Sequence, residues 1–195
     1  MPLTAILDGS VPMDATRIDA AEWAGVHDVR PRRDLRCREC GARMHAKSSP
    51  TGLRFFAHDR ADSACPSRGE TPEHRRLKQM LAELVRKLGC VAEIEAMPSV
   101  SDAGGWRADV LGTSPRGTRI AFEVQLAAMT VLEGWRRTDR YSADGIGCLW
   151  VSPRHAPWMT RIPSCHIVTD GDNSFVDRGL ARFQGGRWET AGVVP

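Results

Sequence analysis

The sequence predicts an α/β fold of the α+β kind, in which an αβββαβ core with a mixed sheet follows a small N-terminal β module. Three observations predict this order. Residues 71–88 have the caps and apolar spacing of an amphipathic helix, and residues 106–126 alternate around a turn as a β-hairpin does. Residues 130–142 then begin with a second helix cap, and the apolar strand 147–151 follows. Helices and strands in this order form layers about one sheet.

The composition of the 195-residue chain sets limits on its class. It has 27 Lys and Arg against 24 Asp and Glu, a net charge of +3, which alone does not indicate a nucleic-acid-binding protein. We find no signal peptide and no apolar run near the ~18 residues that suggest a membrane span, so we expect a cytoplasmic protein without membrane contact. Its six cysteines should then be reduced, and serve as metal ligands or buried apolar groups.

We expect four segments along the chain. They are an N-terminal extension at 1–35, a metal-binding cap at 36–66, the core at 67–152 and a β-rich C-terminal extension at 153–195. The first extension contains the predicted strand Leu3–Leu7 and a short helix at Asp19–Ala24. Its basic stretch Arg30–Arg33 we interpret as a solvated loop rather than a DNA contact. Neither extension shows a pattern that indicates chemistry.

The cap contains a cysteine pattern typical of a zinc knuckle. Cys37 and Cys40 are separated by two residues, and His58 and Cys65 complete a Cys₃His set. Four nitrogen and sulfur ligands are what a closed structural Zn²⁺ site requires. His45 is an alternative fourth ligand, although its neighbours predict a strand. A redox Cys-x-x-Cys pair would be expected beside a βαβ unit, which this region lacks.

The helix at 71–88 opens the core. Thr71 is its predicted N-cap, Pro72 its first residue and Gly89 its end. The apolar stripe consists of Leu77, Leu81, Leu84, Val85 and Leu88. His74 and Lys78, one turn apart, extend this stripe, so we expect both to point toward the sheet, although a single histidine on a helix more often has a structural role.

The hairpin places two acidic residues close together. Its arms are Trp106–Gly112 and Arg119–Leu126, and the register that the turn favours sets Asp109 almost opposite Glu123. Ile120, Phe122, Val124 and Leu126 form the apolar face, and Arg119, Ala121, Glu123 and Gln125 form the face expected to be solvated or functional.

Opposed like charges destabilise a hairpin unless a cation neutralises them. A divalent metal is one candidate, since Mg²⁺ binds carboxylate oxygens. The alternative is a solvated hairpin in which Arg107 and Arg119 neutralise the acids.

A second helix begins at the predicted capping box of Thr130 and Glu133 and extends to about Ser142. Its basic and aromatic residues are Arg136, Arg137, Arg140 and Tyr141. They form either a solvated face or a set of phosphate contacts. Strands at Cys90–Ala96, before the hairpin, and at Gly147–Val151, Cys165–Thr169 and Arg187–Thr190 complete the expected elements.

The order of several short motifs resembles the CoiA-like competence protein family from about Arg36 to Ser152. The motifs are Cys37-Arg38-Glu39-Cys40, Phe56-Ala57-His58, Glu73-His74, Trp106-Arg107-Ala108-Asp109-Val110 and Phe122-Glu123-Val124-Gln125. Asp109 followed by Glu123-Val124-Gln125 is also similar to the D…ExK hairpin of restriction-endonuclease-like nucleases, with Gln125 in place of lysine.

This resemblance implies a restriction-endonuclease-like core behind a zinc-binding cap, and a hydrolase that cleaves DNA phosphodiester bonds with Mg²⁺ or Mn²⁺. Asp109, Glu123 and the Val124 carbonyl would hold that ion, and Gln125 would orient water or phosphate. From the first core helix Glu73, His74 and Lys78 would face the site, with Glu70 as an alternative acid. Arg137 and Tyr141 would contact DNA phosphates.

Two other functions compete with the nuclease. The first is a non-catalytic DNA-binding protein that supports transformation or recombination. Single-strand binders combine a positive groove with stacking aromatic residues, whereas this chain has a single tyrosine, Tyr141, and its tryptophans fall in predicted core strands. The second, a purely structural zinc protein, gives no reason for the opposed Asp109 and Glu123.

Overall fold

The structure is a computed structural model of the chain. It describes residues 2–60, 65, 67, 69–98, 105–170, 173–178, 180–184 and 187–191. Most of the predicted loop Met97–Gly105 lies outside the described residues. The chain divides into two compact units, residues 1–79 and 80–195, with the division inside one helix.

The first unit is built on a five-stranded antiparallel sheet. Its elements are β1 (Thr4–Leu7), β2 (Val11–Asp14), α1 (Ala20–Ala24), β3 (Leu35–Arg36), β4 (Arg43–Ser48), β5 (Arg54–His58) and the first half of α2 (Pro72–Lys87). The strand order is β2-β1-β3-β4-β5, so strands from 1–35 and from 36–66 share one sheet. Asp19 caps α1, as predicted, and accepts a hydrogen bond from the Glu22 amide.

This sheet and α1 enclose one apolar core. Its largest members include Trp23, Leu35, Met44 and Phe56, all buried. The Trp23 and Phe56 rings lie 5.8 Å apart. Cys37 and Cys65 belong to the same cluster, so the cysteine-bearing segments are anchored in this core.

The second unit contains a six-stranded mixed sheet. Its elements are the second half of α2, β6 (Val91–Ala96), β7 (Ala108–Thr113), β8 (Arg119–Val124), α3 (Val131–Ala143), β9 (Gly147–Ser152), a 3₁₀ helix (Pro157–Thr160), β10 (Ser164–Asp170), β11 (Asn173–Arg178), β12 (Leu180–Gln184) and β13 (Arg187–Ala191). The order is β11-β10-β9-β8-β7-β6, with β8, β9 and β10 parallel and the other pairs antiparallel. The predicted αβββαβ order and mixed sheet are confirmed, and β12 and β13 form a separate hairpin.

Helices cover both faces of this sheet, which corrects one expectation. A Cβ on Gly112 would lie 3.3 Å from Val85 of α2, so β7 and α2 are in close contact. On the opposite face, Ala121 and Trp150 are fully buried in one core cluster with Tyr141 of α3. The face expected to be solvated or functional is therefore not solvated at Ala121 and Glu123, which are buried, because a sheet between two helix layers is covered on both sides.

The apolar stripe of α2 is narrower than the sequence predicted. Leu77, Leu81 and Val85 are buried, whereas Leu84 and Leu88 are 45% and 80% exposed. At ~100° per residue, Leu84 lies about 90° from the centre of the buried face. Leu88 follows the last helical residue.

In the part of the chain that the structure describes, no helix combines the length and apolar character needed to cross a membrane.

Candidate metal centres and nuclease-like site

The first unit brings four potential metal ligands together. The sulfur atoms of Cys37, Cys40 and Cys65 and one ring nitrogen of His58 all lie within 4.8 Å of one another. The Cys37 and Cys65 sulfurs are 3.8 Å apart, too far for a disulfide bond of ~2.05 Å. The Cys40 sulfur lies 3.4 Å from Nε2 of His58. This group could hold a metal ion.

Local backbone structure positions these side chains. The amide of Gly41 donates to the Cys37 carbonyl at 3.0 Å, and Gly41 has a φ of 68°, which glycine adopts at little cost. The resulting turn presents Cys37 and Cys40 on one side, and β5 ends at His58. His45, the alternative ligand, instead contacts the Asp59 carboxylate at 2.6 Å.

The buried position of Cys37 makes its thiol less acidic than that of an exposed cysteine. Burial raises the pKa of the Cys37 thiol to about 12, while backbone hydrogen bonds oppose this shift. A bound cation would favour the thiolate and so counteract the effect of burial.

A second cluster lies at the start of α2, in the first unit. One Glu70 oxygen is 3.1 Å from Nδ1 of His74 and also pairs with Nζ of Lys78, which is fully buried. Arg75 donates to the Glu70 carbonyl at 3.1 Å. The structure thus joins Glu70 to both His74 and Lys78, whereas Glu73 is exposed.

The predicted cap explains how Glu70 reaches its partners. The Thr71 hydroxyl accepts a hydrogen bond from the His74 amide at 3.1 Å, which starts the helix there. Glu70 therefore precedes the helix by two residues, and its side chain can fold back along the first turn. His74 and Lys78 follow at i+4 and i+8.

The hairpin of the second unit has the predicted register. Val110 pairs with Phe122, and the next position in this register holds Asp109 and Glu123. Asp109 Oδ2 accepts the Val124 backbone amide at 2.9 Å. The half-buried Asp109 carboxylate is thus fixed at the end of the β7–β8 ladder.

Two groups of α3 hold the Glu123 carboxylate, which is only 2% exposed. Nη2 of Arg137 lies 2.6 Å from Oε2 of Glu123, and the Tyr141 hydroxyl donates to Oε1. Arg137 also donates to Oε1 of Gln125 at 3.2 Å and stacks over the Trp150 ring at 4.4 Å. The two residues predicted to bind phosphate therefore contact Glu123 directly.

Tyr141 keeps its proton at this site. Burial, and then the negative charge of Glu123, raise the pKa of the Tyr141 hydroxyl far above its ordinary value. It therefore acts as a hydrogen-bond donor to the carboxylate. The Trp106 ring lies 5.2 Å from the Tyr141 ring, and Trp106 Nε1 donates to Asp144 at 2.5 Å.

Sequence reasoning missed the residues that support this network. Thr138 accepts a hydrogen bond from Nε1 of Trp150 at 2.9 Å, and this bond fixes the ring on which Arg137 stacks. One signal was available: Arg137 and Tyr141 are four residues apart, so they lie on one face of α3. Arg136 and Arg140, by contrast, are exposed.

Comparison with known proteins finds one family model that matches much of this region. Residues 70–162 match the family model described as competence protein CoiA, nuclease-like domain. The match spans α2, the hairpin of Asp109 and Glu123, α3 and β9. Searches among curated proteins and among solved structures found no match. Residues 70–162 of this chain are therefore similar to the nuclease-like domain of competence protein CoiA.

Proposed function

We propose that the protein is a divalent-metal-dependent nuclease that hydrolyses DNA phosphodiester bonds in a process related to competence. The observation that carries this proposal is the register of β7 and β8, which sets Asp109 opposite Glu123 within the family match. A metal-dependent nuclease needs carboxylates such as these to bind its ion, and this pair lies within the residues that match the nuclease-like domain.

The donor atoms fit Mg²⁺ or Mn²⁺, since both ions favour carboxylate and carbonyl oxygens. Asp109, Glu123 and the backbone carbonyl of Val124 would hold the ion. When bound, it would lower the pKa of a water molecule and stabilise negative charge on the phosphate.

The chain's own residues set the position of Glu123. Arg137 and Tyr141 hydrogen-bond to both carboxylate oxygens of Glu123. We therefore propose that these two residues position Glu123 rather than bind DNA phosphates. Gln125 would orient the attacking water or the phosphate. Its amide is itself held, by Arg137 on one side and by the Ala127 carbonyl at 2.9 Å on the other.

Arg137 also offers a replacement for the missing lysine. A lysine at position 125 would supply a positive charge, which Gln125 lacks. The Arg137 guanidinium, a cationic group, is hydrogen-bonded to Gln125 at 3.2 Å. We therefore assign to Arg137 the charge that lysine provides in the D…ExK pattern.

The start of α2 would complete the catalytic set, as the family resemblance implies. Among its acids we assign the role to Glu70 in place of Glu73, because Glu70 pairs with both His74 and Lys78 and Glu73 is exposed. In this pairing, Lys78 and His74 would hold the Glu70 carboxylate in place.

The ion at the cysteine cluster we assign as structural Zn²⁺. In a tetrahedral site with Zn–S distances of ~2.3 Å, two sulfurs lie about 3.8 Å apart, which matches the Cys37–Cys65 distance of 3.8 Å. Three cysteines and a histidine leave no open position for substrate, so this site would stabilise the fold.

A cleavage assay tests the proposal. Wild-type protein, purified without chelator, is incubated with supercoiled plasmid and with single-stranded DNA in Mg²⁺, in Mn²⁺ and without added divalent ion. We expect metal-dependent cleavage by the wild type and none by Glu123→Gln, which should still bind DNA because it has lost a negative charge. Glu93→Gln, which changes an exposed carboxylate of β6, is the matched control and should cleave normally.

One observation favours a second candidate, the non-catalytic DNA-binding protein. Both Glu123 oxygens already have protein partners, and glutamine stands where the nuclease pattern has lysine. If the wild type binds DNA but cleaves neither substrate with any divalent ion, this second function is correct.

A further inference from the structure

A cavity of about 410 Å³ lies in the first unit, between residues 26–33 and strand β4. Its lining includes the apolar Val26, Leu35 and Met44, all of them buried. A volume of this size falls within the ~300–1,000 Å³ of small-molecule sites. The cavity is therefore large enough for a nucleotide unit rather than for a phosphate alone.

The rest of the lining is strongly basic. Arg30, Arg32, Arg33 and Lys47 line the cavity, together with a single carboxylate, that of Asp28. The Arg30–Arg33 stretch, which the sequence suggested was only a solvated loop, thus forms one wall of a concave surface. Positive groups around a concave surface concentrate anionic ligands.

Two of these cations are not neutralised by acids. Arg32 lies 3.5 Å from Asp59, and Arg33 pairs with Asp8. Arg30 and Lys47 form no ion pair within the residues that the structure describes, and the Arg30 guanidinium donates only to the neighbouring Val29 carbonyl, at 3.3 Å. Their charges are available to a ligand.

We propose that this cavity binds single-stranded nucleic acid, with phosphates on Arg30 and Lys47 and an unpaired base against the apolar floor. The basic rim and apolar floor match the two parts of a nucleotide. A duplex keeps its bases stacked inside, so it could offer only its phosphates to this surface. None of the acidic residues assigned to cleavage lines this cavity, and the proposal holds whether or not the protein cleaves DNA.

Salt-dependent binding tests this inference. Each phosphate contact contributes ~0.7 to the slope of log K against log salt on single strands. The double variant Arg30→Gln/Lys47→Gln should therefore lower that slope by about 1.4 on a fluorescent oligothymidylate. Binding is measured without added Mg²⁺ or Mn²⁺, so that cleavage does not contribute, and without chelator, so that any zinc stays in place. Arg17→Gln, an exposed arginine of the same unit outside the cavity, is the matched control.

Each outcome of these binding measurements either supports or overturns the inference. A lower slope for the double variant but not for Arg17→Gln, with a smaller change on a duplex of equal length, supports the inference. An unchanged slope overturns it, and an equal loss on duplex overturns the assignment to single strands. If polyglutamate displaces the labelled oligothymidylate as well as unlabelled oligothymidylate does, the cavity binds anions without specificity, and the inference is overturned. If the double variant melts below wild type, Lys47→Gln alone, with an expected fall of about 0.7, decides the test.

Discussion

Tyr141 allows a direct test of the buried network around Glu123. It is the only tyrosine in the chain, so the ultraviolet absorbance of tyrosinate reports on this one residue. Burial and the Glu123 charge raise its pKa far above the ordinary value of 10.0. The perturbation is a rise in pH from neutral into the alkaline range.

Two buried thiols of the same unit respond in the same direction. Burial raises the pKa of Cys165 from 9.0 to about 11, and burial also raises the pKa of Cys148 well above 9.0. In each case the folded state keeps a proton that the unfolded chain has released. Stability contributed by these groups is therefore complete below about pH 9 and decreases as pH rises.

The size of the decrease follows from linkage. Each such group lowers the free energy of unfolding by ~1.4 kcal/mol per pH unit between its unfolded and folded pKa values. With Cys165 acting above pH 9 and Tyr141 above pH 10, the loss from these two groups at pH 11 is about 4 kcal/mol. Cys148 adds to this loss in the same direction. A loss of this size approaches the lower end of the usual ~5–15 kcal/mol range of total stability, so the second unit should unfold in the alkaline range, at about pH 11 or above.

The assay follows tyrosinate absorbance, tryptophan fluorescence and circular dichroism through one alkaline titration. We expect tyrosinate to appear only as the native signals disappear. The same protein in concentrated urea should titrate near pH 10, and Tyr141→Phe provides the absorbance baseline. A tyrosinate transition centred near pH 10 in protein that keeps its native signals would refute the reasoning.

Three further predictions concern the metal sites and the packing of the sheet. Cys40→Ser should lose about one equivalent of zinc and unfold the first unit, because metal binding contributes ~10 kcal/mol or more to folding. Metal analysis of the purified variant measures this loss, and the control Cys90→Ser, which lies outside the cluster, should keep its zinc. A hundredfold excess of Mn²⁺ over its dissociation constant should stabilise wild type by ~2.7 kcal/mol in thermal melts, and equal responses in wild type and Asp109→Asn would mean that Asp109 is not a ligand. Gly112→Ala should lower the free energy of unfolding, measured by urea denaturation, by ~1–3 kcal/mol, because the new Cβ would lie 3.1 Å from the Phe122 ring. A variant as stable as wild type would show that the sheet is not tightly packed at this position.

Local signals made the core elements predictable. Thr71 caps α2 and Thr130 caps α3 by accepting the expected amide hydrogen bonds. The turn after β7 fixed the register that sets Asp109 against Glu123. These features depend on neighbours within a few residues or on one tight turn, so the sequence contains enough information to place them.

Features that depend on distant packing were not predictable in this way. The alternation of β8 indicated one apolar face, yet Ala121 is fully buried on the other, because α3 covers it. Phe122, on the apolar face, is only partly buried. Similarly, periodicity could not distinguish Glu70 from Glu73, since Glu70 lies before the helix and reaches His74 by folding back over its first turn.

The charge of Glu123 also clarifies what a divalent ion would do at the hairpin. The sequence left two ways to neutralise the opposed acids, a metal or the flanking arginines. In the structure, Arg107 instead pairs with Glu95 at 3.3 Å, and Arg137 and Tyr141 of α3 hold Glu123. Because protein groups already compensate the buried carboxylate, the hairpin can fold before any ion binds. We therefore expect Mg²⁺ or Mn²⁺ to be required for cleavage but not for folding of the second unit, the opposite of the zinc dependence expected in the first.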